Sequence, residues 1–131
     1  MYREMVSEAL ADNGHDVQWA ENGLEGIDKA RAYMPELVIS DVVMEGADGY
    51  EVLSRLRNEP ATAGIPFIMM TGWSSKGGQR QGMIMGADDY LAKPFNASEL
   101  LDSVSAQLRK RQRMDTQLFQ QGSISETGTS V

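Results

Sequence analysis

Three short apolar runs, separated from one another by stretches with helical spacing, each close on a different polar residue. Leu37-Val38-Ile39-Ser40 ends in Asp41, Ile65-Pro66-Phe67-Ile68-Met69-Met70 in Thr71, and Tyr90-Leu91-Ala92 in Lys93. Runs this short and this continuously apolar read as strands covered on both faces, and strands alternating with helices build a parallel sheet between two helical layers. Sheets of that kind carry their chemistry outside the carboxyl ends of the strands. A carboxylate, a hydroxyl and an ammonium are therefore expected to converge at one sheet edge.

The intervening stretches support this layout. Residues 1–13 place Tyr2, Met5, Val6, Ala9 and Leu10 on one helical stripe, and Gly14 follows as a left-handed stop. His15 to Ala20 alternates weakly and reads as a short strand, with His15 a turn or strand-edge residue. Asn22 can then cap a helix carrying Leu24, Ile27, Ala30 and Met34 as far as Pro35. Asp48, with Glu51 three residues on, opens a helix whose buried stripe is Val52, Leu53 and Leu56. Asn58 to Gly64 is expected as a loop. A weak helix is expected from about Lys76 to Met85, burdened by Gly77, Gly78 and Gly82. Asn96 and Glu99 open a last helix through Leu100, Leu101, Val104 and Leu108, which continues through the basic residues Arg109 to Arg113 towards Phe119.

Composition narrows the function classes. The chain has 131 residues and a formal net charge of −7, which argues against nonspecific nucleic-acid binding because such binding needs a neutralising basic face. It has no cysteine, which removes disulfides, thiolate zinc sites and cysteine nucleophiles. No apolar stretch approaches the ~20 residues needed to span a bilayer, so a cytoplasmic protein without a membrane contact is expected.

The three strand ends suggest a chemistry. A carboxylate accepts a phosphoryl group as an acyl phosphate when the transferring oxygens are neutralised and aligned. Lys93 offers fixed positive charge, Thr71 a hydroxyl donor, and nearby amides further donors. Any one of these residues alone has a blander explanation: a cap, a turn former, a solvated charge. Their order on three successive runs, with Pro94 after the lysine, favours the joint reading.

With these residues in place the sequence resembles the response regulator receiver domain, the CheY-like module of two-component signalling. The resemblance is carried by Pro35 to Asp41, Asp48-Gly49-Tyr50-Glu51-Val52-Leu53, Met70-Thr71-Gly72 and Gly86 to Phe95, and spans roughly residues 1–108. It implies a flavodoxin-like, doubly wound parallel sheet. It also implies Asp41 as phosphoacceptor, Thr71 as switch hydroxyl, Lys93 as phosphate partner and Tyr90 as the aromatic that responds to activation. Mg²⁺ would be held by Asp41 and the backbone carbonyl of Val43. The implied partners are a histidine kinase or histidine phosphotransfer protein and a downstream protein target or removed output domain, with a homodimer as a further option. The receiver would assist its own phosphotransfer and dephosphorylation without being a metabolic enzyme. Residues 109–121 would form a helical extension or linker, and residues 122–131 a disordered tail of Gly, Ser and Thr.

The family pattern starts with a hydrophobic strand ending in an acidic pair, the central strand of the order 2-1-3-4-5, whereas here Met1 already stands in the first helix. Without that strand, the runs around Val17 and Val38 are expected about 10 Å apart with unpaired backbone between them. An upstream strand, a strand donated by a neighbouring molecule and a degenerate receiver each answer that gap. Glu45 stands where the family has proline, and Trp73 is placed to overhang the acceptor. Two rival functions follow: a phosphorylation-independent binding module, and a haloacid-dehalogenase-like phosphatase. The second wants an aspartate where this chain has Val43.

Overall fold

The computed structural model describes residues 2–42, 46–72 and 86–120, with only the backbone of Tyr2 and of residues 112–120. Helices begin where the capping residues stand. In α2 (Gly23–Tyr33) the Asn22 side chain accepts from the Glu25 amide, and in α3 (Gly49–Asn58) the Asp48 side chain accepts from the Glu51 amide. The last helix, α4 (Ala97–Gln120), starts with a reciprocal capping box: Asn96 Oδ1 accepts from Glu99 N at 2.8 Å and Glu99 Oε1 from Asn96 N at 3.3 Å. The first helix, α1 (Tyr2–Asp12), gives way to Gly14 at φ +84°, the left-handed turn its position required.

Three parallel strands, β1 (Val38–Asp41), β2 (Phe67–Thr71) and β3 (Asp89–Ala92), form a sheet in the order β1-β2-β3. β1 and β2 are shorter at their amino ends than the apolar runs that announced them, because ladder pairing starts only where neighbours come level, while β3 begins one residue before its run, at Asp89. All five residues of β2 are buried. One core cluster packs Ile27, Ala30, Leu53, Leu56, Phe67, Met69 and Tyr90, joining α2 and α3 to one face of the sheet. The other packs Val6, Leu10, Leu37, Ile68, Met70, Leu91, Leu100 and Val104, joining α1 and α4 to the opposite face. Fully burying side chains of this size contributes about 1.5–3 kcal/mol each.

One expectation fails. The strand read over His15–Ala20 does not form; only Asp16 makes a single bridge, and the segment is otherwise irregular. A strand is a property of two paired segments, and weak alternation without a neighbouring ladder is not enough to hold one. Side chains hold the segment instead. Trp19 Nε1 donates to Ser7 Oγ at 3.3 Å, the Arg3 guanidinium lies 4.7 Å from the Trp19 ring centroid, and Lys29 Nζ donates to the Trp19 carbonyl. The helix expected over Lys76–Met85, the residues Val43, Glu45 and Trp73, and the tail 122–131 lie outside the described residues. Among the described residues no helix is long and apolar enough to cross a membrane.

Candidate functional site

Parallel register brings the three strand ends level. Asp41 lies opposite Met70 and Thr71 opposite Ala92, so the last residue of β1 and the residue after β3 meet across the end of β2. Lys93 N donates to the Thr71 carbonyl at 2.7 Å, which fixes the lysine backbone to the threonine. From there Lys93 Nζ reaches Asp41 Oδ1 at 2.5 Å, a charge-assisted contact between residues 52 positions apart. The Lys93–Pro94 peptide is cis.

The pair is partly open. The Lys93 side chain is 28 % exposed and that of Asp41 39 %, so a second molecule can approach the carboxylate while the ammonium stays beside it. Thr71, by contrast, is buried, and joins the site through its backbone. Tyr90 is also buried, opposite Met69 on β2, two residues before Thr71 and on the same face of the sheet. The structure therefore brings Asp41 and Lys93 into contact, sets Thr71 at the same edge, and places Tyr90 in the core beneath that edge.

Sequence reasoning missed the side chains that hold β3 in register. Asp88 Oδ2 accepts from Phe67 N at 2.8 Å and from Arg57 Nη2 at 2.8 Å, while Asp88 N donates to the Phe67 carbonyl at 2.8 Å. Arg57 also donates to the carbonyls of Ala63, Ile65 and Gly86. The start of β3, and so the reach of Lys93, depends on this cluster. The pairing of Arg57 with Asp88 across 31 positions leaves no local signal. Asp88→Ala removes an acceptor shared by a strand amide and a guanidinium, and should destabilise the chain by about 2 kcal/mol in urea titration.

Magnesium at an acidic pocket is general among receiver domains. Among the described residues, the Asp41 carboxylate is an oxygen donor placed at the strand ends. No group of three or more His, Asp or Glu side chains able to hold a metal occurs among the described residues, and Asp41 faces an ammonium. Mg²⁺ takes near-octahedral oxygen ligands, of which the Asp41 carboxylate would supply one.

An open parallel sheet with a carboxylate, a hydroxyl and an ammonium at its carboxyl edge defines a doubly wound α/β domain whose working site is that edge. The family model for the response regulator receiver domain matches residues 1–105. This chain belongs to that family, whose mechanism is phosphorylation on an aspartate. It is 40% identical over 111 residues to the DNA-binding dual master transcriptional regulator RpaA of Synechocystis sp., covering 85% of this chain and 46% of that protein. It is 35% identical over 108 residues to the phosphate regulon transcriptional regulatory protein PhoB of Pseudomonas aeruginosa, covering 82% and 47%. The chain thus spans about half the length of the curated relatives it matches. Among solved structures, the chemotaxis response regulator CheY4 of Vibrio cholerae superposes with a TM-score of 0.74 at 32% identity, covering 81% of this chain and 88% of that one. The signal receiver domain of a histidine kinase from Syntrophus aciditrophicus gives 0.79 at 28%, covering 96% and 89%. Proteins of this family are regulators rather than metabolic enzymes.

Proposed function

We propose that this chain is a phosphoacceptor switch: Asp41 takes a phosphoryl group from the phosphohistidine of a histidine kinase or histidine phosphotransfer protein. A carboxylate oxygen of Asp41 attacks phosphorus, an O–P bond forms, the donor N–P bond breaks, and the imidazole leaves with its electron pair. Contact between Lys93 Nζ and Asp41 Oδ1 carries the proposal, because it puts a fixed cation where phosphoryl charge accumulates.

The transferred group adds close to two negative charges at the sheet edge. The Thr71 hydroxyl moving towards one of its oxygens would open space on the face it shares with Tyr90, and Tyr90 would follow. The readout is then a changed surface around β3 and α4, recognised by a downstream protein or an output domain. Residues 1–108 form the receiver on this reading, and residues 109–121 carry the extension from it. The same edge residues assist both transfer and hydrolysis. Asp41 is the carboxylate that would contribute to a Mg²⁺ site together with the Val43 carbonyl, and further oxygen donors would be needed to complete it.

Incubation with acetyl phosphate and Mg²⁺, followed by intact mass, tests the switch. The parent chain should gain one phosphoryl group, and Lys93→Met should slow uptake by about 10²-fold, the scale of losing one preorganised charge partner. A parent chain that gains no mass would favour the phosphorylation-independent binding module. Turnover of a generic phosphate ester would favour the phosphatase.

A further inference from the structure

Ser103, Gln107 and Lys110 of α4 stand at i, i+4 and i+7, so they follow one another along a single helix face, and that face meets the start of β3. They hold it unequally. Ser103 is buried, and its Oγ donates to Asp89 Oδ2. One turn on, Gln107 Nε2 reaches the Asp88 carbonyl only at 3.5 Å, and Gln107 Oε1 is buried with no hydrogen-bond partner among the described residues. Lys110 Nζ lies 3.5 Å from Asp88 Oδ1 on a side chain that is 61 % exposed, where solvent screens the pair. The polar hold of α4 on β3 is concentrated in one hydroxyl.

The carboxylate that receives this hydroxyl has a second bond: Asp89 Oδ1 accepts from Tyr90 N at 2.8 Å. One planar group therefore joins the backbone at Tyr90 to the middle of α4, and it cannot turn with one partner without bending its bond to the other. Packing alone would not transmit such a turn. Leu100 and Val104 share a core cluster with Leu91, but apolar contact is non-directional.

We propose that Ser103 is a positioning residue that couples β3 to α4 through Asp89, so that a displacement of Tyr90 reaches the helix as a change of seat. The coupling rests on the switch proposed above, in which Tyr90 follows Thr71. The orphaned Gln107 carbonyl favours release, since an unpaired buried acceptor is a cost of the resting seat that is relieved when the helix shifts towards water or a donor. Loss of the Ser103 bond frees α4, whereas loss of the Gln107 carbonyl settles it.

Amide hydrogen exchange over residues 97–111 of the full chain, followed by mass spectrometry with and without acetyl phosphate and Mg²⁺, tests the coupling, with intact mass read on the same samples. In the parent chain phosphorylation should speed exchange over α4 about tenfold, as expected when a helix loses part of its tertiary hold. Ser103→Ala should take up the phosphoryl group at the parental rate, yet exchange about tenfold faster than the parent before phosphorylation and no faster after it. Ser103→Thr, which keeps the hydroxyl, should restore the parental response, and Gln107→Met should slow exchange in the resting chain. The coupling is overturned if α4 of Ser103→Ala exchanges and responds like the parent, or if β2 loses protection together with α4, the mark of general loosening. A parent chain that gains mass with α4 unmoved overturns the coupling alone, and one that gains no mass overturns the switch and the coupling with it.

Discussion

An Asp41→Asn chain should take up no phosphoryl group from acetyl phosphate while remaining as folded as the parent. Asparagine keeps the shape of aspartate but exchanges an anionic oxygen for an amide, so the nucleophile that would form the acyl phosphate is gone. The loss should be complete if Asp41 is the acceptor: among the described residues, the other carboxylates paired with lysines lie away from the strand ends, Glu25 on α2 and Asp88 at the start of β3. Stability should hardly move. The Asp41 and Lys93 side chains are 39 % and 28 % exposed, and ion pairs as open as this contribute up to about 1 kcal/mol. Intact mass and a urea titration on the same sample check both halves. An asparagine variant that still gained mass would place the acceptor elsewhere.

Gly49→Ala should have the opposite profile, damaging the fold through a single methyl group. Gly49 opens α3 directly beneath the end of β1: its amide donates to the Val42 carbonyl at 2.7 Å. A Cβ there would stand 2.3 Å from the Asp41 carbonyl oxygen and 2.7 Å from Met69 Sδ. The sulfur can turn aside, but the carbonyl belongs to the strand end and cannot move without shifting Asp41. Overpacking against backbone should cost about 3 kcal/mol and slow phosphorylation in the fraction that folds. Gly64→Ala is the control. An added Cβ at that position meets nothing within 4 Å, so the effect should stay within about 0.5 kcal/mol. Urea midpoints of the two variants compare them directly.

What could be read from residues alone follows a physical boundary. The caps at Asn22, Asp48 and Asn96 were legible because each is a bond between neighbours three residues apart. The Asp41, Thr71 and Lys93 edge was legible because parallel strands of similar length end level, so run endings in the sequence become neighbours in space. His15–Ala20 was misread for the complementary reason: alternation describes one strand, and the pairing partner that makes it a strand is not local. Arg57 and Asp88 were missed likewise, since nothing near either residue hints at the other. Thr71 stood in the expected place, yet its burial emerged only from packing. The resemblance to receiver domains supplied the roles of Thr71 and Tyr90, which spacing did not.

Trapping the acyl phosphate on the unmodified chain bears most directly on the role of the sheet edge. The chain is treated with acetyl phosphate, reduced with borohydride so that a phosphorylated aspartate becomes homoserine, digested, and sequenced by mass spectrometry. Homoserine at position 41, and at no other aspartate, is the expected outcome. A mark at Asp48, Asp88 or Asp89, or no mark in a chain whose donor is consumed, would show that the carboxylate beside Lys93 is not the acceptor.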